Sequence, residues 1–98
     1  METKQLVKIL KALSNETRWG LYKEIAKHEE SNFEASECNI SDIVKIFGLS
    51  PPTISHHLKE LANADLITTE KRGKYLTAVI NKETLGEVKQ ILSEIEGD

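Results

Sequence analysis

Between Ser50 and Lys59 the chain gathers groups that exchange hydrogen bonds: the hydroxyls of Ser50, Thr53 and Ser55, the adjacent imidazoles of His56 and His57, and the ammonium of Lys59. Short hydroxyl and imidazole groups offer donors and acceptors to base edges and phosphates, while Pro52 and the Thr53 methyl can meet a thymine methyl. A second cluster, Lys71, Arg72 and Lys74 around Gly73, is cationic and suited to phosphates or to a minor groove. A charged turn at the surface is the plainer reading of that cluster, but its company with the helix that follows Ser50 favours contact with phosphates or a minor groove. Metal binding by His56 and His57 fits poorly, because neighbouring residues on a helix point about 100° apart. Cys38 stands beside Glu37 and without the cations that activate a thiol, so an inert cysteine is favoured over a redox switch. His28 falls where a helix should end, and there a cation is favoured by the helix dipole. No nucleophile paired with a base, no phosphate-cradling glycine loop and no metal-ligand cluster is visible, which excludes an enzyme and a bound cofactor from the reading.

These residues need elements to hold them. Leu6, Ile9, Leu10 and Leu13 recur at helical spacing, so a helix is expected over Gln5 to Leu13. Ser14 or Asn15 can cap a second helix from Glu16 to about His28, with Leu21, Ile25 and the edges of Trp19 and Tyr22 turned inward. Trp19 reads as core or as a subunit contact rather than a ligand-stacking ring. Glu29 to Cys38 has no apolar period and is expected to be an acidic loop. Asn39-Ile40-Ser41-Asp42 resembles a capping box ahead of a short helix that stops at Gly48. Ser50 followed by Pro51 and Pro52 starts the next helix, over residues 51–64, with Ile54, Leu58 and Leu61 on its buried side. On that helix His56, Pro52 and Asn63 point most directly outward, and Ser55 and His57 lie on the flanks, where His57 suits either DNA contact or a hydrogen bond that packs the helix against the body. Leu66 to Thr69 and Tyr75 to Ile80 are rich in β-branched residues and predict a hairpin whose tip, residues 71–75, is basic. Leu85, Val88, Leu92 and Ile95 then form a coiled-coil-like seam on a last helix from about Lys82 to Ile95.

The resulting order, α-α-α-α-β-β-α, is mainly α with a β-hairpin wing, a winged helix-turn-helix. The chain has 98 residues, enough for one domain, and residues 1–98 are read as one. So short a chain buries a modest core, which favours a homodimer in which Leu6, Ile9 and Leu10 of the first helix join Leu85, Val88, Leu92 and Ile95 of the last. One cysteine excludes an internal disulfide framework, no apolar run approaches a membrane span, and no signal-peptide profile opens the chain, so a cytoplasmic protein is expected. The net charge of −3 argues mildly against nucleic acid. Distribution outweighs the sum, however, because five acids (Glu29, Glu30, Glu34, Glu37, Asp42) fall in a stretch without Lys or Arg while the cations crowd near residue 72.

Two stretches resemble the ArsR/SmtB family of winged-helix repressors. Leu10-Lys11-Ala12-Leu13-Ser14-Asn15-Glu16-Thr17-Arg18 is similar to the family's "LKALSDPTR", and Leu49 to Leu61, with Ser55-His56-His57-Leu58-Lys59 at its centre, is similar to its "LSQSTVSHHLKVL". Ala64-Asp65-Leu66-Ile67 stands where the family has "AGLV". The resemblance implies a homodimer, joined through the first and last helices, that represses an operon by holding an inverted-repeat operator on double-stranded DNA until an inducer releases it. The departures from the family count against its familiar metal sites. Aligned on Asp42, Asn39 and Ser41 replace the family's "CVC" thiols, and residues 82–98 contain no His. The alternative reading is a winged-helix protein-protein interaction module, supported by the negative charge and opposed by the acid-poor outer face around His56.

Overall fold

The computed structural model describes residues 1–31, 38–72 and 75–97. Helices α1 (Thr3–Leu13), α2 (Glu16–Ser31), α3 (Ile40–Phe47), α4 (Pro51–Asn63) and α5 (Lys82–Ile95) accompany strands β1 (Cys38–Asn39), β2 (Ile67–Arg72) and β3 (Tyr75–Ile80). The sheet is antiparallel with order β1-β3-β2, and its β2–β3 hairpin is the wing. This is the expected winged helix-turn-helix.

Local chemistry sets the boundaries. The Ser14 hydroxyl donates to the Lys11 carbonyl at 2.7 Å and closes α1, whereas the Asn15 side-chain oxygen accepts from the Arg18 N–H and opens α2. Gly48 ends α3 with φ +65°, a conformation that costs glycine little. Ser50 caps α4 by accepting from the Thr53 N–H, with prolines in the first two helical positions. Asn81 caps α5 by accepting from the Thr84 N–H.

The core is one cluster. Ile9 of α1, Leu21 and Ile25 of α2, Ile43 of α3, Ile54 and Leu61 of α4, Leu66 just before the wing and Ile67 at its start are fully enclosed. Each such side chain contributes roughly 1.5–3 kcal/mol of transfer free energy. α2 lies close on α3, because the Cα of Gly20 faces the Phe47 ring so nearly that an added Cβ would sit 3.1 Å from it.

Four expectations change. α2 runs on to Ser31, and Cys38 lies on β1, paired with Ala78, so the acidic stretch begins as helix and ends as strand; residues 32–37 lie outside the described residues. A two-residue strand is too short to show alternation, which is why periodicity misses it. β2 extends through Lys71 and Arg72, which pair with Leu76 and Tyr75; these cations stand on strand rather than on a turn. Trp19 is 45% exposed, stacked on Tyr22 with the Lys23 ammonium 5.7 Å above its ring. Six residues at about 100° each carry it about 120° round the helix from Ile25, away from the core. Finally, Ile9 and Val88, expected at a dimer contact, are buried in the chain's own core, with Leu6 and Leu85 packed against it. Leu10, Leu92 and Ile95 remain exposed, and so does Val7, which lies outside the stripe read on α1.

Candidate nucleic-acid interface

α4 is held by its apolar back and presents the rest. Ile54, Leu58 and Leu61 are buried, while Pro52, Thr53, Ser55, His56 and Lys59 are exposed. The outer face of its first two turns carries no acid before Glu60, one turn beyond His56. Ser50 and Thr53 bond to each other through their hydroxyls at 2.9 Å, so part of their capacity serves the helix start, although both residues are exposed.

The two imidazoles take different places. His56 is exposed, and its ring lies 5.7 Å from that of His57 at a 56° tilt. His57 is half-buried and turns toward α2, where Arg18 Nη1 stands 3.3 Å from its Nδ1. A guanidinium only donates, so Nδ1 accepts and the proton of the neutral ring resides on Nε2. Burial, then Arg18, then His56 push the His57 pKa below its ordinary value, with Glu60 opposing. Arg18 in turn donates from Nε to the Ala12 carbonyl at 2.7 Å, tying the end of α1 to α4. Sequence reasoning assigns Arg18 no role, since both partners become neighbours only through the fold.

The wing stands beside α4. Ser55, Leu58, Lys59 and Ala62 line one wall of a crevice of about 240 Å³, and Thr69 and Leu76 line the other. Ser55 and Lys59 therefore look from the helix toward the hairpin. Lys71 is exposed on β2 and Arg72 ends that strand, while Gly73 and Lys74 lie outside the described residues. Among the described residues no group of three or more His, Cys, Asp or Glu gathers to hold a metal ion, and no helix is long and apolar enough to cross a membrane.

Comparison with known proteins agrees with this geometry. Residues 33–69 match the family described as "Bacterial regulatory protein, arsR family". The chain is 33% identical over 95 residues to the arsenical resistance operon repressor of Staphylococcus xylosus, covering 97% of this chain and 84% of that one. It is 32% identical, with the same coverage, to the protein of that name from Staphylococcus aureus. The crystal structure of an ArsR family transcriptional regulator superposes with a TM-score of 0.81 at 25% identity, covering 99% of this chain and 92% of that one. An ArsR-like transcriptional regulator from Rhodococcus sp. RHA1 superposes at 0.74 with 23% identity, covering 96% and 81%. A winged helix-turn-helix with an open recognition face, joined to this identity over nearly the whole chain, shows that the protein belongs to the arsR family of bacterial regulatory proteins, a family of DNA-binding regulators rather than enzymes.

Proposed function

We propose that the protein is a cytoplasmic, homodimeric repressor that holds an inverted-repeat operator, each subunit placing α4 in the major groove and the wing against the flanking backbone. The observation that carries this reading is the outer face of α4, where Pro52, Thr53, Ser55 and His56 stand exposed above a fully buried back. Thr53, Ser55 and His56 read bases, with Pro52 in apolar contact. Ser50, Lys59, Lys71, Arg72 and Lys74 position the helix and wing on phosphates or in the adjacent minor groove. His57 contributes its Nε2–H from the flank while its other nitrogen holds Arg18. A dimer with two such helices matches half-sites about one helical turn apart.

The relatives' names tie them to arsenical resistance, and that signal is not carried over. Each chain has one cysteine, and a soft cation or arsenical needs several thiolates gathered together. The inducer in this reading is something other than a metal held by clustered thiols.

The test compares operator and random DNA, by fluorescence anisotropy across a salt series, using the region upstream of the protein's own gene. His56→Ala should collapse the operator preference, by about 1–3 kcal/mol for each base the imidazole reads, and leave the slope of log K against log salt nearly unchanged. Lys71→Ala should keep the preference and make the slope shallower by about 0.9 for each phosphate the variant no longer neutralises. If the wild-type protein shows no salt-sensitive, sequence-dependent binding, the assignment fails and a protein-interaction module becomes the better reading.

A further inference from the structure

Lys8 and Lys11 lie one turn apart on α1, and with Arg18 of α2 and Glu60 of α4 they rim a cleft of about 190 Å³ whose remaining walls are Ala12 and Ala64. Three cations thus face one carboxylate. Among the described residues no ion pair joins either lysine to Glu60. The guanidinium at the centre is already oriented by two bonds, Nε to the Ala12 carbonyl and Nη1 to His57 Nδ1, and it keeps further N–H donors beyond those. A fixed guanidinium between two flexible ammonium groups is the arrangement that recognises an oxyanion, the first by geometry and the others by charge.

We propose that this cleft binds a phosphate group, held by Arg18, Lys8 and Lys11, and that the recognition helix senses its occupancy through the Arg18–His57 bond. Charge narrows the choice: with three cations against the one carboxylate of Glu60 the cleft carries a surplus of two positive charges, which a phosphate dianion neutralises and a monoanionic carboxylate only half neutralises. Size points the same way, since the cleft is smaller than the roughly 300 Å³ at which pockets for drug-sized ligands begin. It fits a small free phosphate or one phosphate of a longer molecule. Glu60 lies one turn along α4 from His56, so a backbone phosphate of bound DNA is one source and a free phosphate is the other; the first rests on the DNA-binding reading above. An anion beside Arg18 also cancels part of the positive field that, with burial, holds the His57 pKa down. Occupancy therefore lets His57 protonate at higher pH.

The experiment uses the whole chain and inorganic phosphate, with sodium chloride at matched ionic strength as the blank. In the absence of DNA, calorimetry should show saturable binding, and the NMR titration of His57 should move to higher pH as phosphate is added. Lys8→Gln with Lys11→Gln, both at exposed positions, should weaken that binding about tenfold, and Glu60→Gln should tighten it several-fold. With random DNA, the same double variant should make the salt slope shallower by about 0.9 for each phosphate it no longer neutralises, beyond the change given by Lys4→Gln outside the cleft. Saturable binding without a slope change identifies a free phosphate; a slope change without saturable binding identifies the DNA backbone. If wild-type protein binds DNA and neither arm responds to the lysine changes, the phosphate site is refuted and the DNA-binding reading stands. If wild-type protein fails to bind DNA, that reading falls, and the calorimetric arm alone decides the cleft.

Discussion

His56 and His57 are adjacent and chemically identical, yet the fold gives one to solvent and the other to Arg18. That division has a consequence for pH. The neutral His57 ring accepts the Arg18 bond; protonated, it would put a donor against a donor and a cation against a cation. Burial, Arg18 and His56 therefore depress its folded-state pKa, while Glu60 pulls the other way. The unfolded chain takes up the proton at the ordinary value near 6.5, before the folded chain does, so stability should fall as the pH drops below about 6.5 and level off once the folded-state pKa is passed. His57→Gln, whose side-chain oxygen can accept from Arg18 without titrating, should flatten that part of the profile. Thermal midpoints measured from pH 7.5 to 5 check this, and parallel profiles for the two proteins would remove His57 from the account. The sequence alone places His57 on the flank of α4 and leaves DNA contact and packing both open. Its partner is 39 residues away in the chain, a separation no periodicity crosses.

Helix ends are legible wherever a side chain does the capping. Ser50-Pro51-Pro52 predicts the start of α4, and the stripe from Leu85 to Ile95 predicts α5 with the bounds it has, its Asn81 cap appearing only in the fold. The end of α4 is less obvious. The Leu66 N–H bonds to the Leu61 carbonyl and the Asp65 N–H to the Ala62 carbonyl, while Asp65 takes φ +60°. This is a Schellman turn, completed by the burial of both Leu61 and Leu66. It carries an aspartate in the left-handed position that glycine occupies at least cost, and glycine is what the "AGLV" of similar sequences supplies there. Asp65→Gly should therefore raise stability by about 0.5–1 kcal/mol in urea unfolding, the relief of backbone strain outweighing the added freedom of the unfolded chain. Operator preference should not change, since Asp65 is far along α4 from His56. A loss of stability would mean that the 3.5 Å bond from Gln5 to Asp65 matters more than the backbone conformation. Strand β1 is illegible for the opposite reason: two residues joined to β3 carry no pattern of their own.

At the scale of the whole chain, the radius of gyration is 14.0 Å and the long axis 45 Å, where a compact chain of this length would have a radius of about 13 Å. α5 is packed unevenly along its length. Thr84 and Val88 anchor its first half in the core, but Leu92 is 48% exposed and Ile95 78% as the helix leaves the body. On α1, Val7 and Leu10 are likewise exposed, opposite the side that buries Ile9 and Ala12. The apolar period on both helices is visible in the sequence; how it divides between core and surface is not, because one stripe feeds both and only the packing shows where the core ends. A second copy of the chain is the occupant proposed for the exposed half. Leu92→Glu separates the two uses of the stripe. With about half of Leu92 already in water, the substitution should lower the stability of the isolated chain by no more than about 1 kcal/mol. A dimer would have to desolvate the new carboxylate in both subunits, so its dissociation constant should rise at least a hundredfold, about 3 kcal/mol. Sedimentation equilibrium together with thermal unfolding reads both quantities. A folded monomer that has lost tight operator binding but keeps weak half-site binding is the expected product. An unchanged dimer would show that α5 does not join the subunits, and an unfolded chain would show that Leu92 belongs to the core after all.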